Sequence, residues 1–116
     1  MAARPLAVVT GASSGIGRAL ALRLACGGHD LALVARDHSR LGEVAKQAEA
    51  LGARAQTIIE DLSKPGAAQR VAARVEGPVE LLVNNAGFGM HGEFWRTVLS
   101  QEQAMIQIHV GALLEL

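Results

Sequence analysis

Short apolar runs alternate along this chain with segments whose apolar residues recur at helical spacing, and no other feature limits its folding so strongly. Leu6-Ala7-Val8-Val9-Thr10, Leu31-Ala32-Leu33-Val34-Ala35 and Leu81-Leu82-Val83 are too short for helices and read as buried strands; residues 55–59 form a further strand between the second and the last of these. Residues 18–26 place Leu20, Leu22 and Leu24 among alanines in a good helix former that Gly27-Gly28 stops. Residues 39–51 set Leu41, Val44, Ala45, Ala48 and Leu51 at helical spacing, and Gly52 closes that helix. Ser63 is placed to cap a third helix through Val75, with Pro65 tolerated in its first turn and Gly77-Pro78 ending it. After a polar, glycine-rich loop, Ser100 with Gln103 resembles a capping box that opens a final helix to residue 116. Strands alternating with helices imply an α/β fold, a doubly wound parallel sheet with right-handed crossovers and helices on both faces.

Size and charge narrow the partners. A chain of 116 residues, half of them hydrophobic, is one globular unit, and its 11 basic and 11 acidic residues give no electrostatic ground for nucleic acid or an anionic membrane. The apolar run after Pro5 is too short for a secretory core or a membrane span, so a cytoplasmic protein is expected. Cys26 is the single cysteine, which excludes a disulfide framework and agrees with a reducing interior. His29, His38, His91 and His109 lack ligand spacing, and no metal site is expected.

Thr10-Gly11-Ala12-Ser13-Ser14-Gly15-Ile16-Gly17 lies between an expected strand and an expected helix. Glycines there let the backbone turn sharply and approach a pyrophosphate, while free N–H groups at the helix N-terminus point at its charge. Ser13 and Ser14 add hydroxyl donors. A tight turn without a ligand is the plainer alternative. The spacing is G-x-x-x-G-x-G, and with Thr10 it resembles the TGxxxGxG signature of the short-chain dehydrogenases/reductases. Two more segments resemble the same family in order: Asp61-Leu62 after the third strand, and Asn84-Asn85-Ala86-Gly87 after the fourth, similar to its NNAG motif. Together they span most of the chain.

The resemblance implies a Rossmann-type NAD(P)-binding domain over residues 1–116 and an oxidoreductase that moves hydride between a nicotinamide dinucleotide and a carbonyl or alcohol. It assigns Gly11, Gly15, Ile16 and Gly17 to the pyrophosphate, with Ser13 and Ser14 beside it. Asp61 and Leu62 would flank the adenine, and Asn85, Ala86 and Gly87 would line the adenine-ribose side. Asn84 would brace the sheet. For Asn84 and Asn85, satisfying strand-end backbone groups is the competing role. At the end of the second strand stands Arg36, whose planar fork suits a ribose 2′-phosphate, so NADP(H) is preferred with NAD(H) still open. Asp37, one residue later, would read a ribose hydroxyl instead if the strand ended one position further on. Arg36 as a solvated loop charge is the remaining alternative.

The family's catalytic tyrosine, its partner lysine and an upstream serine have no counterpart here. The chain contains no tyrosine, and its lysines, Lys46 and Lys64, fall on expected surface helices. The chain is therefore expected to be a truncated, cofactor-binding half, with a small-molecule substrate only in a full-length form. A non-catalytic NADP(H)-binding module completed by another chain, and a non-functional remnant, are the alternatives. His109 stands where the family has an asparagine that supports proton relay; a helix histidine without a catalytic part is the plainer reading. Phe88, Met90, His91 and Trp95 would either floor a substrate pocket or pack a loop. Apolar residues surround the last expected helix on nearly every side, and the fourth strand would have an unpaired edge, so self-association or dependence on a partner is expected.

Overall fold

Every residue of the first strand, β1 (Leu6–Thr10), is buried, as a strand covered on both faces must be. The computed structural model describes residues 4–13 and 15–85, and residues 106–109 as backbone. The other strands are β2 (Asp30–Ala35), β3 (Ala55–Ile59), β4 (Val79–Asn84) and β5 (Ile106–His109), and the helices are α1 (Gly15–Cys26), α2 (His38–Ala50) and α3 (Ala67–Arg74). The sheet runs in the order β3-β2-β1-β4-β5, with every neighbouring pair parallel. This is the doubly wound, Rossmann-type parallel sheet that the alternation implies.

The pleat divides the core. Ala7, Val9, Leu31, Leu33, Leu81 and Val83 point to one face, where Ala21 and Ala25 of α1 and Leu41, Val44, Ala45 and Ala48 of α2 cover them. Leu6, Val8, Ala32, Val34, Ile58 and Leu82 point to the other, against Ala67, Ala68 and Val71 of α3. Alanine on the buried side of α1 and α2 lets both helices lie close to the sheet. At the amino ends of the strands, Arg4 ties the layers together. Its Nη2 donates to Ala25 O at 2.8 Å and to His29 O at 3.1 Å, and its Nε lies 3.1 Å from Asp30 Oδ1. Asp30 Oδ1 also accepts from Arg54 N at 2.9 Å, so one carboxylate joins the starts of β2 and β3.

Two expectations need correction. Residues 106–109 form β5, parallel to β4, and are not part of a helix running to residue 116. The edge of β4 away from β1 is consequently paired. The physical reason is in the residues: Ile106-Gln107-Ile108-His109 alternates apolar with polar and carries two β-branched side chains, the pattern of a strand. The third helix opens at Ala67 and not after Ser63. Gly66, at φ 76°, turns the chain into α3, while Ser63 spends its N–H and hydroxyl on Asp61. The remaining elements begin and end within three residues of the expected bounds.

Candidate cofactor-binding site

β2 and β3 lie on one side of β1, and β4 and β5 on the other. Connections therefore leave β1 and β4 in opposite directions, which opens a crevice at their carboxyl ends, the usual place for a ligand on such a sheet. The glycine-rich turn sits there. Gly11 leaves β1 at φ 63°, and Gly15 opens α1 at φ 59°, both left-handed conformations that favour glycine. Between them Ala12 is buried, and its N–H donates to Val34 O at 3.2 Å, which pins the turn to β2.

The two glycines of α1 serve different purposes. A Cβ on Gly15 would meet nothing within 4 Å, so this residue faces open space on the ligand side. A Cβ on Gly17 would overlap Gly11 O and stand 2.7 Å from Asn85 Nδ2. Gly17 thus allows the helix to lie against the turn. The first turn of α1 has no acidic residue, so no carboxylate of its own opposes the positive end of its dipole. Ile16 is 40% exposed beside them, and Ser13 is half-buried. A cradle with open space at Gly15 and a helix whose first turn carries no acid fits a pyrophosphate.

A buried hydroxyl joins this cradle to the end of β4. Thr10 Oγ1 donates to Asn84 Oδ1 at 2.9 Å and accepts from Asn85 N at 2.9 Å. Asn85 Nδ2 donates to Gly11 O at 3.4 Å. Thr10 and Asn84 are both fully enclosed, and strand pairing sets them side by side. A threonine here supplies the acceptor and the donor that an apolar β-branched residue of the same shape would lack.

On the far side of β1, Arg36 is exposed just past β2. Asp37 is the N-cap of α2: its Oδ1 accepts from Arg40 N at 3.0 Å, and Arg40 Nε lies 3.6 Å from Oδ2. Asp61 follows β3, where Ser63 donates to its Oδ1 from Oγ at 2.6 Å and from N at 2.9 Å. Those bonds hold its carboxyl below the ordinary aspartate value of 3.8, and the positive charges of Arg36 and Lys64 nearby add to them. Leu62 is 8% exposed and packs into the core beneath α3.

The structure accordingly gathers Gly11, Ser13, Gly15, Ile16, Gly17 and Asn85 at one crevice, with Arg36 and Asp61 at its β2–β3 side. Leu62 turns its side chain inward to the core. His109 is on β5, in register with Asn84, and not on a helix. Ser14, Ala86, Gly87, Phe88, Met90, His91 and Trp95 lie outside the described residues. Two participants escaped the sequence reading. Thr10 was seen as the first letter of a motif and not as the brace between two strands. Asp37 was weighed as a ribose reader, although an aspartate directly before a helical pattern is also an N-cap signal.

A family model described as short chain dehydrogenase matches residues 5–116. A putative ketoacyl reductase of the granaticin polyketide synthase from Streptomyces violaceoruber is 45% identical over 74% of this chain and 33% of its own length. L-sorbose reductase from Gluconobacter frateurii, solved with NADPH and L-sorbose, superposes with a TM-score of 0.69 at 40% identity, over 75% of this chain and 35% of that one. An NAD+-bound xylitol dehydrogenase superposes with a TM-score of 0.67 at 32% identity, over 72% of this chain and 34% of that one. The chain thus spans about a third of the length of these relatives. With its glycine turn, its Asp61 and its Asn84-Asn85 pair set around one crevice of a parallel sheet, the chain belongs to the short-chain dehydrogenase family of NAD(P)-binding oxidoreductases.

Proposed function

We propose that these 116 residues form the cofactor-binding part of an NADP(H)-dependent oxidoreductase that moves hydride between the nicotinamide and a carbonyl or alcohol substrate. The observation that carries this reading is the glycine turn and the acid-free first turn of α1 at the point where strand order reverses between β1 and β4. Bound there, the nicotinamide dinucleotide supplies the hydride. The chain's own residues bind and orient it. Gly15 and the first N–H groups of α1 hold the pyrophosphate, with Ser13 and Ser14 beside them. Asn85, Ala86 and Gly87 line the adenosine side, and Asp61 and the Leu62 backbone flank the adenine. Hydride transfer to a carbonyl leaves an alkoxide that needs a proton. The chain has no tyrosine, and we place the proton donor outside these residues, so that they are inactive by themselves.

The preference for NADP(H) rests on Arg36. Asp37, the competing reader, spends its carboxylate on the N-terminus of α2 and on Arg40. A carboxylate so engaged is a poorer acceptor for a ribose hydroxyl, and Arg36, exposed just past β2, has the planar fork that suits a 2′-phosphate. The test is fluorescence titration of the full chain with NADPH and with NADH, repeated on Arg36→Ala. NADPH is expected to bind more tightly, and the substitution to weaken NADPH by about tenfold or more while barely changing NADH. An unchanged ratio of the two affinities in Arg36→Ala would overturn the assignment of Arg36.

A further inference from the structure

Glu60 lies between the last residue of β3 and Asp61, and its side chain is only 10% exposed. A carboxylate that enclosed needs partners, and α3 provides them. Arg70 Nε donates to Glu60 Oε1 at 2.9 Å, and Arg74 Nη1 lies 3.5 Å from Oε2. The same Arg70 guanidinium donates from Nη1 to Pro65 O at 3.1 Å. One planar fork therefore grips both ends of the 60–65 segment that carries Asp61 and Leu62.

That segment has no strand or helix of its own between Ile59 and Ala67. Its shape depends on local bonds: Ser63 to Asp61, Lys64 N to Asp61 O at 3.0 Å, and Glu60 N to Ala35 O at 3.1 Å, directly before Arg36. Arg70 is not what fastens α3 to the sheet, because Ala67, Ala68 and Val71 do so through the core. We propose that Arg70 is a positioning residue for cofactor recognition, bridging Glu60 and Pro65 so that the Asp61 carboxylate is held towards the adenine. The inference rests on the reading that Asp61 flanks the adenine. Both Ser63 bonds fall on Oδ1, which leaves Oδ2 outside that turn's hydrogen bonds, and on that reading Oδ2 is the oxygen that would accept from the ring's 6-amino group.

The test compares NADPH with its hypoxanthine analogue, which carries a carbonyl in place of the amino group, by fluorescence titration of the full chain. The unsubstituted chain is expected to favour NADPH by about threefold to tenfold, the effect of one hydrogen bond at a surface site. Arg70→Ala is expected to bring that preference below about twofold, and Glu60→Gln, which retains an acceptor for Arg70, to keep it. Arg70→Lys keeps the charge but not the two-point bridge. It is expected to lose the preference as well, and decides the matter if Arg70→Ala does not fold. A general loosening of the domain would weaken both ligands alike and leave the ratio intact, which would overturn the role given to Arg70. No preference in the unsubstituted chain would overturn the adenine reading of Asp61, and this inference with it.

Discussion

At Gly17 there is no room for even a methyl group, whereas at Gly15 there is nothing but room. Alanine at Gly15 would suffer only from its φ of 59°, a left-handed strain of about 1–2 kcal/mol. Alanine at Gly17 would collide with the backbone oxygen of Gly11 and with Asn85, atoms fixed by the Thr10 network. Overpacking of that kind costs about 1–3 kcal/mol and sometimes more. Gly17→Ala is thus expected to lower the urea midpoint more than Gly15→Ala does, and to damage NADPH binding through displacement of the turn. Equal midpoints for the two variants would contradict the packing role of Gly17. The motif itself was legible in the sequence, because strand, glycines and helix follow one another in order. Which glycine answers to conformation and which to close approach was not, since that depends on Asn85, 68 residues away along the chain.

Among the elements, α2 shows how a local contact changes the meaning of a residue. Asp37 belongs to the helix by its hydrogen bond to Arg40 N, even though its position beside Arg36 also suits a ribose reader. Asp37→Ala is expected to cost about 0.5–2 kcal/mol by removing the cap, while Asp37→Ser restores most of it. Thermal melts of the two variants measure this. In Asp37→Ser the NADH affinity should remain within about twofold of its original value, since a changed cap leaves the ligand untouched; a large drop would make Asp37 the ribose reader after all. β1, β2 and β4 were legible because their apolar runs are short and end in turn residues. β5 was hidden by its surroundings: the flanking stretch is apolar at almost every spacing, which suits a buried helix as readily as a buried strand. The alternation of Ile106, Gln107, Ile108 and His109 was the narrower signal and pointed to the right answer. The start of α3 was misplaced for another reason, because Ser63 is a good cap whose hydroxyl is used two residues back, on Asp61.

Across the whole molecule, the two ends of the sheet have separate duties. The carboxyl ends of β1 and β4 hold the crevice, and the amino ends hold Arg4 with Ala25 O, His29 O and Asp30. Arg4→Ala is expected to lower stability by about 1 kcal/mol, a discounted figure because the ion pair is partly exposed. The affinity for NADPH, measured well below the melting temperature, should not change. A parallel loss of affinity would mean that the two ends are coupled through β1. Thr10 has a consequence of a different kind. Its hydroxyl fastens the turn after β1 to the loop after β4, so two patches carried by separate strands keep a fixed spacing. For a ligand made of two joined parts, each resting on one patch, such a rigid ruler turns the second contact into an intramolecular event at high effective concentration. On the reading proposed above, a pyrophosphate joined to an adenosine would gain from that geometry, and the two offered separately would not.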